Sequence, residues 1–275
     1  MPGLRSDAHL SPARPGGDAR LLPKDYQPFG APHAPTEYRP AMAVLKRLAR
    51  RLLDPKEHVL PRGLAPGRAL EVGCGSGRYL AQLAASGWRV QGLEPSAETA
   101  DRLREAASLP VITGSISEAS FDPESFDLVA AVMVLEHLHH PLEDLRRLQS
   151  WLRPGGFLTG SVPNAASWEF GFFGPGWFAL QVPTHLFHFT PTTLTRLLEK
   201  AGFEDVRVYH QRNVSNLMIH LGRFLRRHRM PGARTCLEYP EKGPAPLRYA
   251  LRPLSAILAW LGQAGRMSFT ARKGK

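Results

Sequence analysis

Residues 69–77 read Ala-Leu-Glu-Val-Gly-Cys-Gly-Ser-Gly, an apolar strand that runs straight into three glycines at alternate positions. No other stretch constrains the fold as much as the spacing of Glu71, Gly73, Gly75 and Gly77. Glycine turns through left-handed backbone without strain and, lacking Cβ, lets a ligand come close to the main chain. Twenty-one residues after Gly73, the next apolar strand, Val90-Gln91-Gly92-Leu93, ends in Glu94. A carboxylate at that point can accept hydrogen bonds from both hydroxyls of a ribose. Strand, glycine turn, helix and acid-terminated strand together describe a nucleoside-binding α/β unit. The plainer alternative is a strand–turn–helix whose glycines serve the turn alone.

The loop chemistry narrows the ligand. A dinucleotide fingerprint places its third glycine three residues after the second, but Arg78 stands there and the third glycine comes early, at Gly77. A phosphate loop ending in Gly-Lys-Ser/Thr is absent. Glu71 would repel a pyrophosphate and suits a cationic amino group instead. In these features the chain resembles the class I S-adenosylmethionine-dependent methyltransferases, over roughly residues 40–210 and a short piece at the end. The resemblance implies a doubly wound, mostly parallel seven-stranded α/β sheet (Rossmann-like) and S-adenosyl-L-methionine as cofactor. It places Glu71, Gly73, Cys74, Gly75, Gly77, Glu94, Pro95, Ser115, Ile116 and Met133 around that cofactor. The family usually carries Asp after the third strand, accepting from the adenine amino group. Here the segment is Thr113-Gly114-Ser115-Ile116, so the Ser115 hydroxyl is expected to accept in its place and the Ile116 N–H to reach the ring.

Alternating apolar runs and amphipathic stretches supply the rest of the sheet. Strands are expected at 69–73, 89–94, 111–113, 126–132, 157–162, 205–210 and 266–272, with helices at 77–85, 96–107, 141–153 and 193–201. Ser96 is placed to cap the second of these helices and Thr190 or Thr192 the last. Pro154-Gly155-Gly156 is expected to close the helix before it. Residues 1–36, rich in Pro, Gly and Ala, read as a disordered N-terminal segment. Residues 37–210 form the core, opened by a helix over 38–53 with Lys46, Arg47, Arg50 and Arg51 among its apolar positions. Within the core, 165–182 is dense in aromatics yet broken by glycines. It is expected to form no regular helix and to make a lid, the alternative being a loop packed on the core. Residues 211–265 are a basic amphipathic helical insertion, and 266–275 hold the last strand and the C-terminal tail.

Ligands of such sheets bind outside the carboxyl ends of the strands, so the segment after strand four, Met133-Val134-Leu135-Glu136-His137-Leu138-His139-His140, is the place to seek chemistry. Its Glu-His resembles the Leu-Glu-His segment of small-molecule O-methyltransferases, including the ubiquinone-pathway type. That makes His137 a candidate base or substrate contact; the alternative is a histidine that shapes the cofactor pocket. Pro183-Thr184-His185-Leu186-Phe187-His188-Phe189-Thr190 is similar to a Pro-x-His-x-x-x-Phe-Thr segment of uncharacterised methyltransferases and marks His185 as the second catalytic candidate, or as an anchor for the lid. An alcohol acceptor must lose its proton as the bond forms, which favours a histidine. Some relatives hold magnesium through Glu-x-x-Glu-His and a later histidine. Met133 replaces the first of those oxygen ligands, so no metal is expected.

The formal charge of +11 is concentrated at one end. Residues 207–275 hold 14 Lys and Arg against Glu238 and Glu241, a net of +12, while the rest of the chain holds 21 basic and 22 acidic groups. An anionic partner for this end is implied, either a membrane surface or nucleic acid. In 211–265, Val214, Leu217, Met218, Leu221 and Leu225 share a helical face, as in helices that lie in a membrane interface; the alternative is a helix packed on the domain with solvated arginines. Two cysteines, no membrane-length apolar run and no leader-like N-terminus lead to the expectation of a cytoplasmic enzyme, peripheral to the inner face of the membrane. The leading expectation is O-methylation of a small-molecule or saccharide acceptor, which could be lipid-linked. RNA methylation through the basic end and a non-catalytic binding protein are the alternatives.

Overall fold

Leu128, Val129, Ala130 and Ala131 are all fully buried, as a parallel strand covered on both faces requires. They belong to β4 (Phe126–Val132) at the centre of a seven-stranded sheet. The computed structural model describes residues 60–61 and 64–275. The expected segment 1–36 and the helix expected over 38–53 lie outside the described residues. β4 is flanked by β1 (Arg68–Val72) and β5 (Leu152–Pro163). β2 (Arg89–Glu94) and β3 (Val111–Thr113) continue on one side, and β7 (Arg266–Lys273) and β6 (Phe203–His210) on the other. The order is β3-β2-β1-β4-β5-β7-β6, parallel except for β7, which runs antiparallel to both neighbours.

Register sets where the ends fall. Val72 pairs with Leu93 and with Ala131, Val132 pairs with Ser161, and Pro163 pairs with Arg266. The carboxyl ends of β1, β2, β4 and β5 therefore line one edge, and the reversed β7 brings its first residue, Arg266, to that same edge.

Helices α1 (Arg78–Ala85), α2 (Ala97–Ala107), α3 (Pro141–Trp151) and α5 (Pro191–Lys200) cover the faces, with α4 (Trp168–Phe173) between the last two in sequence. Ser96 caps α2 by accepting from the Thr99 N–H, and Thr190 closes a capping box on α5 with Thr193. The main core gathers Leu70, Leu93, Phe126, Leu145, Leu158, Leu194 and Phe269 between the sheet and these helices. Four helices follow β6: α6 (Ser215–Arg227), α7 (Ala233–Lys242), α8 (Ala245–Ala250) and α9 (Arg252–Trp260). They share a small core of Val214, Met218, Cys236, Tyr239 and Leu258. Among the described residues no helix is long and apolar enough to cross a membrane.

Two local expectations are corrected. Pro154-Gly155-Gly156 does not lie in a turn that ends α3: the helix stops at Trp151 and β5 begins at Leu152, running through all three residues. The ladder accommodates them by a register shift between Phe126 and Leu128. The aromatic stretch does form a regular helix, the six-residue α4, because Ser167 caps it by accepting from the Phe170 N–H and Gly171 is tolerated within it.

Candidate active site

The three loop glycines all take positive φ, 63° at Gly73, 48° at Gly75 and 69° at Gly77. A side chain at Gly73 would also strike Val134 Cγ2 at 2.8 Å, and one at Gly77 would strike Leu103 Cδ2 at 2.6 Å. The turn is thus drawn against the end of β4 on one side and against α2 on the other. Glu94, buried at the end of β2, accepts from the Gly75 N–H at 2.9 Å through Oε2 and from the Ser96 N–H at 3.1 Å through Oε1. One lone pair on each oxygen is held by the main chain and the other remains for a diol. Burial raises the Glu94 pKa above the ordinary carboxylate value, and the two N–H bonds oppose that rise.

Glu71 is buried behind the loop and its Oε2 has no hydrogen-bond partner. Burial raises its pKa well above normal; the Leu80 N–H acts against this and the charge of Glu94 adds to it. Cys74 is buried and its thiol is pushed upward, chiefly by burial and then by Glu71 and Glu94, so it stays a thiol. Pro95 is exposed just beyond Glu94 and Ile116 is buried in the core. Ser115 donates to Glu118: its N–H and hydroxyl both reach Glu118 Oε2, at 2.9 and 2.7 Å. The hydroxyl therefore donates to Glu118, accepts from the Ser117 hydroxyl at 3.0 Å and keeps one lone pair. Met133 holds a left-handed backbone, φ 56°, while its N–H donates to the Ser161 carbonyl at 2.8 Å. A non-glycine residue in that conformation at a strand end carries local strain.

Beyond Met133, a 3₁₀ turn over Leu135–His137 places Glu136 and His137 at the edge of the sheet. The Glu136 carbonyl accepts from both the Leu186 and Phe187 N–H groups, at 2.8 and 3.2 Å, which ties the segment carrying His185 to the end of β4. His137 and His185 meet edge to face with ring centroids 4.7 Å apart. His137 Nδ1 lies 2.9 Å from the Thr184 carbonyl and His185 Nδ1 lies 2.7 Å from that of Ala179. A carbonyl only accepts, so each Nδ1 carries the proton and each Nε2 keeps a free lone pair. Burial lowers the pKa of both; the neighbouring His137 adds to the effect at His185, which falls to about 4. Both imidazoles are neutral near pH 7. His139 and His140 are exposed, and His188 donates from Nε2 to the Leu180 carbonyl at 2.9 Å.

Glu136 was not singled out from sequence, and it is the most unusual residue of the site. It is fully buried, neither carboxyl oxygen has a hydrogen-bond partner, and burial raises its pKa to about 8 against the opposing charge of Arg266. Its carboxyl and the ring nitrogens of His137 and His185 offer three ligand atoms within 4.8 Å of one another. One oxygen and two imidazoles form a set of the kind divalent transition metals use, so the structure assembles three donors even though Met133 replaces a fourth. Glu169 of α4 is also fully buried and raised to about 7, chiefly by burial. The Trp177 indole N–H and Arg266 favour its ionised form, the indole approaching without completing a hydrogen bond. Asn164, buried at the end of β5, clamps the start of β7 by donating to the Ala264 carbonyl at 2.9 Å. No local signal announces Glu169, Asn164 or Arg266; they converge because β7 reverses at this edge.

Residues 165–189 close over these groups. Trp177 and Ala179 are buried, and His220 of α6 holds the segment from outside. Its Nε2 accepts from the Phe178 N–H at 2.7 Å and its ring stacks on Phe173 with centroids 3.9 Å apart. Two open surface hollows lie elsewhere, about 640 Å³ beside Gln91, Arg104 and Pro110 and about 410 Å³ beside Thr192 and Glu199. Neither gathers buried acid–base groups.

A sheet of this order with one reversed strand, a glycine cradle on β1 and a diol-accepting acid on β2 define a Rossmann-like nucleoside-binding enzyme class, that of the S-adenosylmethionine-dependent methyltransferases. Residues 44–208 match the family model described as a methyltransferase domain, and the chain belongs to that family. A protein of Mycolicibacterium smegmatis named "Probable S-adenosylmethionine-dependent methyltransferase" is 31% identical over 152 residues, which are 54% of this chain and 57% of that one. A tRNA U34 carboxymethyltransferase of Idiomarina loihiensis is 30% identical over 162 residues, 55% of this chain and 50% of its own length. A ubiquinone biosynthesis O-methyltransferase of Aeromonas salmonicida is 29% identical over 168 residues, 56% and 71% of the two chains. The chain thus spans about half the length of the first two relatives. A solved methyltransferase of Thermotoga maritima superposes with a TM-score of 0.53 at 21% identity, covering 77% of this chain and 84% of that one. Another, of Archaeoglobus fulgidus, gives 0.51 at 18% identity over 84% and 94%. Both share the fold.

The residues present fit S-adenosylmethionine. The unpartnered Glu71 oxygen can take the cationic amino group, the aligned Glu94 carboxylate can take the ribose, and the left-handed glycines let a ligand approach the main chain at three positions of the loop.

Proposed function

We propose that this chain is an S-adenosylmethionine-dependent methyltransferase whose acceptor is a hydroxyl of a small molecule or saccharide. The observation that carries the reading is the pair of neutral imidazoles, each anchored through Nδ1 to a carbonyl of the covering segment and each left with a free Nε2 lone pair. An amine can be methylated from its free base with little help, whereas a hydroxyl needs its proton taken as the bond forms. When bound, the cofactor supplies an electrophilic methyl group on a sulfonium. Gly73, Gly75 and Gly77 hold its place, Glu94 fixes the ribose and Glu71 the amino group.

His137 is the base in this reading, since it is half-buried at the end of β4 where an acceptor can reach it, while His185 is buried and weakly basic. The acceptor oxygen would take the methyl group as the sulfur–methyl bond breaks and a neutral thioether leaves, and its proton would pass to His137 Nε2. His185, packed edge-on, restrains the His137 ring. Closure by Trp177 and its neighbours excludes water from the displacement.

The test is incubation of extracts of the source cells with the protein and isotopically labelled cofactor, followed by mass spectrometry. The label is expected in a small molecule or saccharide, as a methyl ether. His137→Ala should lower turnover by about 10²–10⁴-fold while sparing cofactor binding. Label appearing in RNA, or a His137→Ala protein with full turnover, would overturn the proposal.

A further inference from the structure

The helices inserted between β6 and β7 expose apolar side chains that neither the fold nor the reaction uses. On α9, Leu258 joins the small core and Ser255 is buried beside it, while the adjoining face presents Leu254, Ile257 and Trp260, continued by Leu261 just past the helix. Their spacing puts them on one helical face. Trp260 is 84% exposed, and Ile257 and Leu261 are each 53% exposed. No charged residue interrupts that face: the one charge in α9, Arg252, lies over the ring of exposed Tyr249, its guanidinium carbon 4.5 Å from the centroid. On α6, Leu221 and Phe224 are likewise exposed, beside Arg223, Arg226 and Arg227. Residues 211–265 carry nine basic groups against Glu238 and Glu241. An apolar strip that the described residues leave exposed, with Trp260 in it and Tyr249 near by, on an insertion of strong net positive charge, calls for a partner that is apolar inside and anionic at its face.

We propose that this insertion docks the protein on an anionic lipid surface. The exposed face of α9 enters the headgroup–acyl boundary, and the exposed arginines of α6 meet lipid phosphates. Charge decides against the other occupants. A second copy would bring one strongly positive face against another. RNA would satisfy the arginines but gives Leu254, Ile257 and Leu261 nothing apolar to bury against. The proposal does not depend on which acceptor is methylated. It has a consequence for the site, because α6 also holds the covering segment through His220 and Phe178, so a docked insertion would set that segment beside the lipid.

The experiment is co-sedimentation of the full chain with vesicles of phosphatidylglycerol and phosphatidylcholine, and with vesicles of phosphatidylcholine alone. The protein is expected to pellet with the anionic vesicles and to be released as salt is raised. The double variant Ile257→Asp/Leu261→Asp should lower the partition coefficient by about tenfold or more. Arg226→Glu/Arg227→Glu should lower it on anionic vesicles while leaving the apolar face intact. Circular dichroism and melting temperature establish that each variant is folded, since all four side chains are exposed. The proposal is overturned if the wild type stays in solution, or if both folded variants bind as the wild type does. It is equally overturned if sedimentation velocity shows a dimer that Ile257→Asp/Leu261→Asp splits, or if the chain binds an RNA oligonucleotide and ignores the vesicles.

Discussion

Replacing Glu94 by Gln keeps the size of the side chain and changes one oxygen to an amide NH₂. In the native site both oxygens already accept a main-chain N–H, from Gly75 and from Ser96. Whichever way the amide turns, its NH₂ faces one of those donors, and that side loses both its backbone bond and its capacity to accept from a ribose hydroxyl. The remaining oxygen accepts without the help of a full charge. Charge-assisted hydrogen bonds contribute about 1.5–3 kcal/mol each and neutral ones about 1 kcal/mol, so the change should weaken cofactor binding by about 2–4 kcal/mol. That is about 30- to 1,000-fold in Kd. Folding should suffer far less. Glu94 is buried and its charged form is already disfavoured by burial, so removing the charge offsets part of the lost backbone bonding. Isothermal titration with S-adenosylmethionine, beside a thermal melt of the cofactor-free protein, separates the two effects. A Glu94→Gln protein that binds within about threefold of wild type would remove Glu94 from the ribose site. For the wild type the affinity should decline as pH falls through the raised Glu94 pKa, because only the ionised carboxylate accepts from both hydroxyls.

Stability should depend on pH in the opposite sense from that of most acidic groups. Glu136 titrates at about 8 in the folded chain against an ordinary value of 4.5, so the native state holds the proton more tightly. Its contribution is fullest below the ordinary value and is lost as pH rises toward about 8. Glu136→Gln should flatten the fall in melting temperature across that window, and an unchanged slope would show that the carboxyl is not buried as described. His220→Ala leaves the Phe178 N–H without its acceptor and removes the stack on Phe173. The loss of about 1–3 kcal/mol should speed amide exchange at Phe178 by about 5- to 150-fold, read by hydrogen-exchange mass spectrometry, while the core strands stay protected. At Gly160, a Cβ would run into the Ala131 carbonyl and lie 2.8 Å from the Phe269 ring. Gly160→Ala should therefore destabilise by about 3 kcal/mol or more, measured by urea unfolding, and a loss below about 1 kcal/mol would mean that β4 and β5 separate readily.

The features legible in the chain are those whose causes are local. The left-handed turns at Gly73, Gly75 and Gly77 follow from glycine's own conformational freedom, and the caps at Ser96 and Thr190 follow from side chains that reach N–H groups three residues on. Central strands such as 126–132 declare themselves by apolar runs, here Leu128 to Val132 after Asp127, and the helices between them by residues recurring on one face. The end of α3 and the course of β5 are not legible in the chain, because Pro154-Gly155-Gly156 carries turn chemistry that the strand pairing with β4 overrides. Helix α4 is hidden for a similar reason: the Ser167 cap outweighs the cost of Gly171, a balance that composition does not reveal.

The cofactor cradle belongs to the first group, since Glu71, the glycines and Glu94 are fixed by one strand–turn–helix–strand unit. The acid–base cluster belongs to the second. Glu136, His137, Glu169, His185 and Arg266 span 131 residues and meet because β7 turns back along β5 and because two N–H groups of the covering segment find the Glu136 carbonyl. What makes them chemically distinctive, neutral histidines and carboxyls that keep their protons, comes from the exclusion of water. Burial of that kind is a property of what covers a group rather than of its neighbours along the chain, so it exists only once the chain has folded over them.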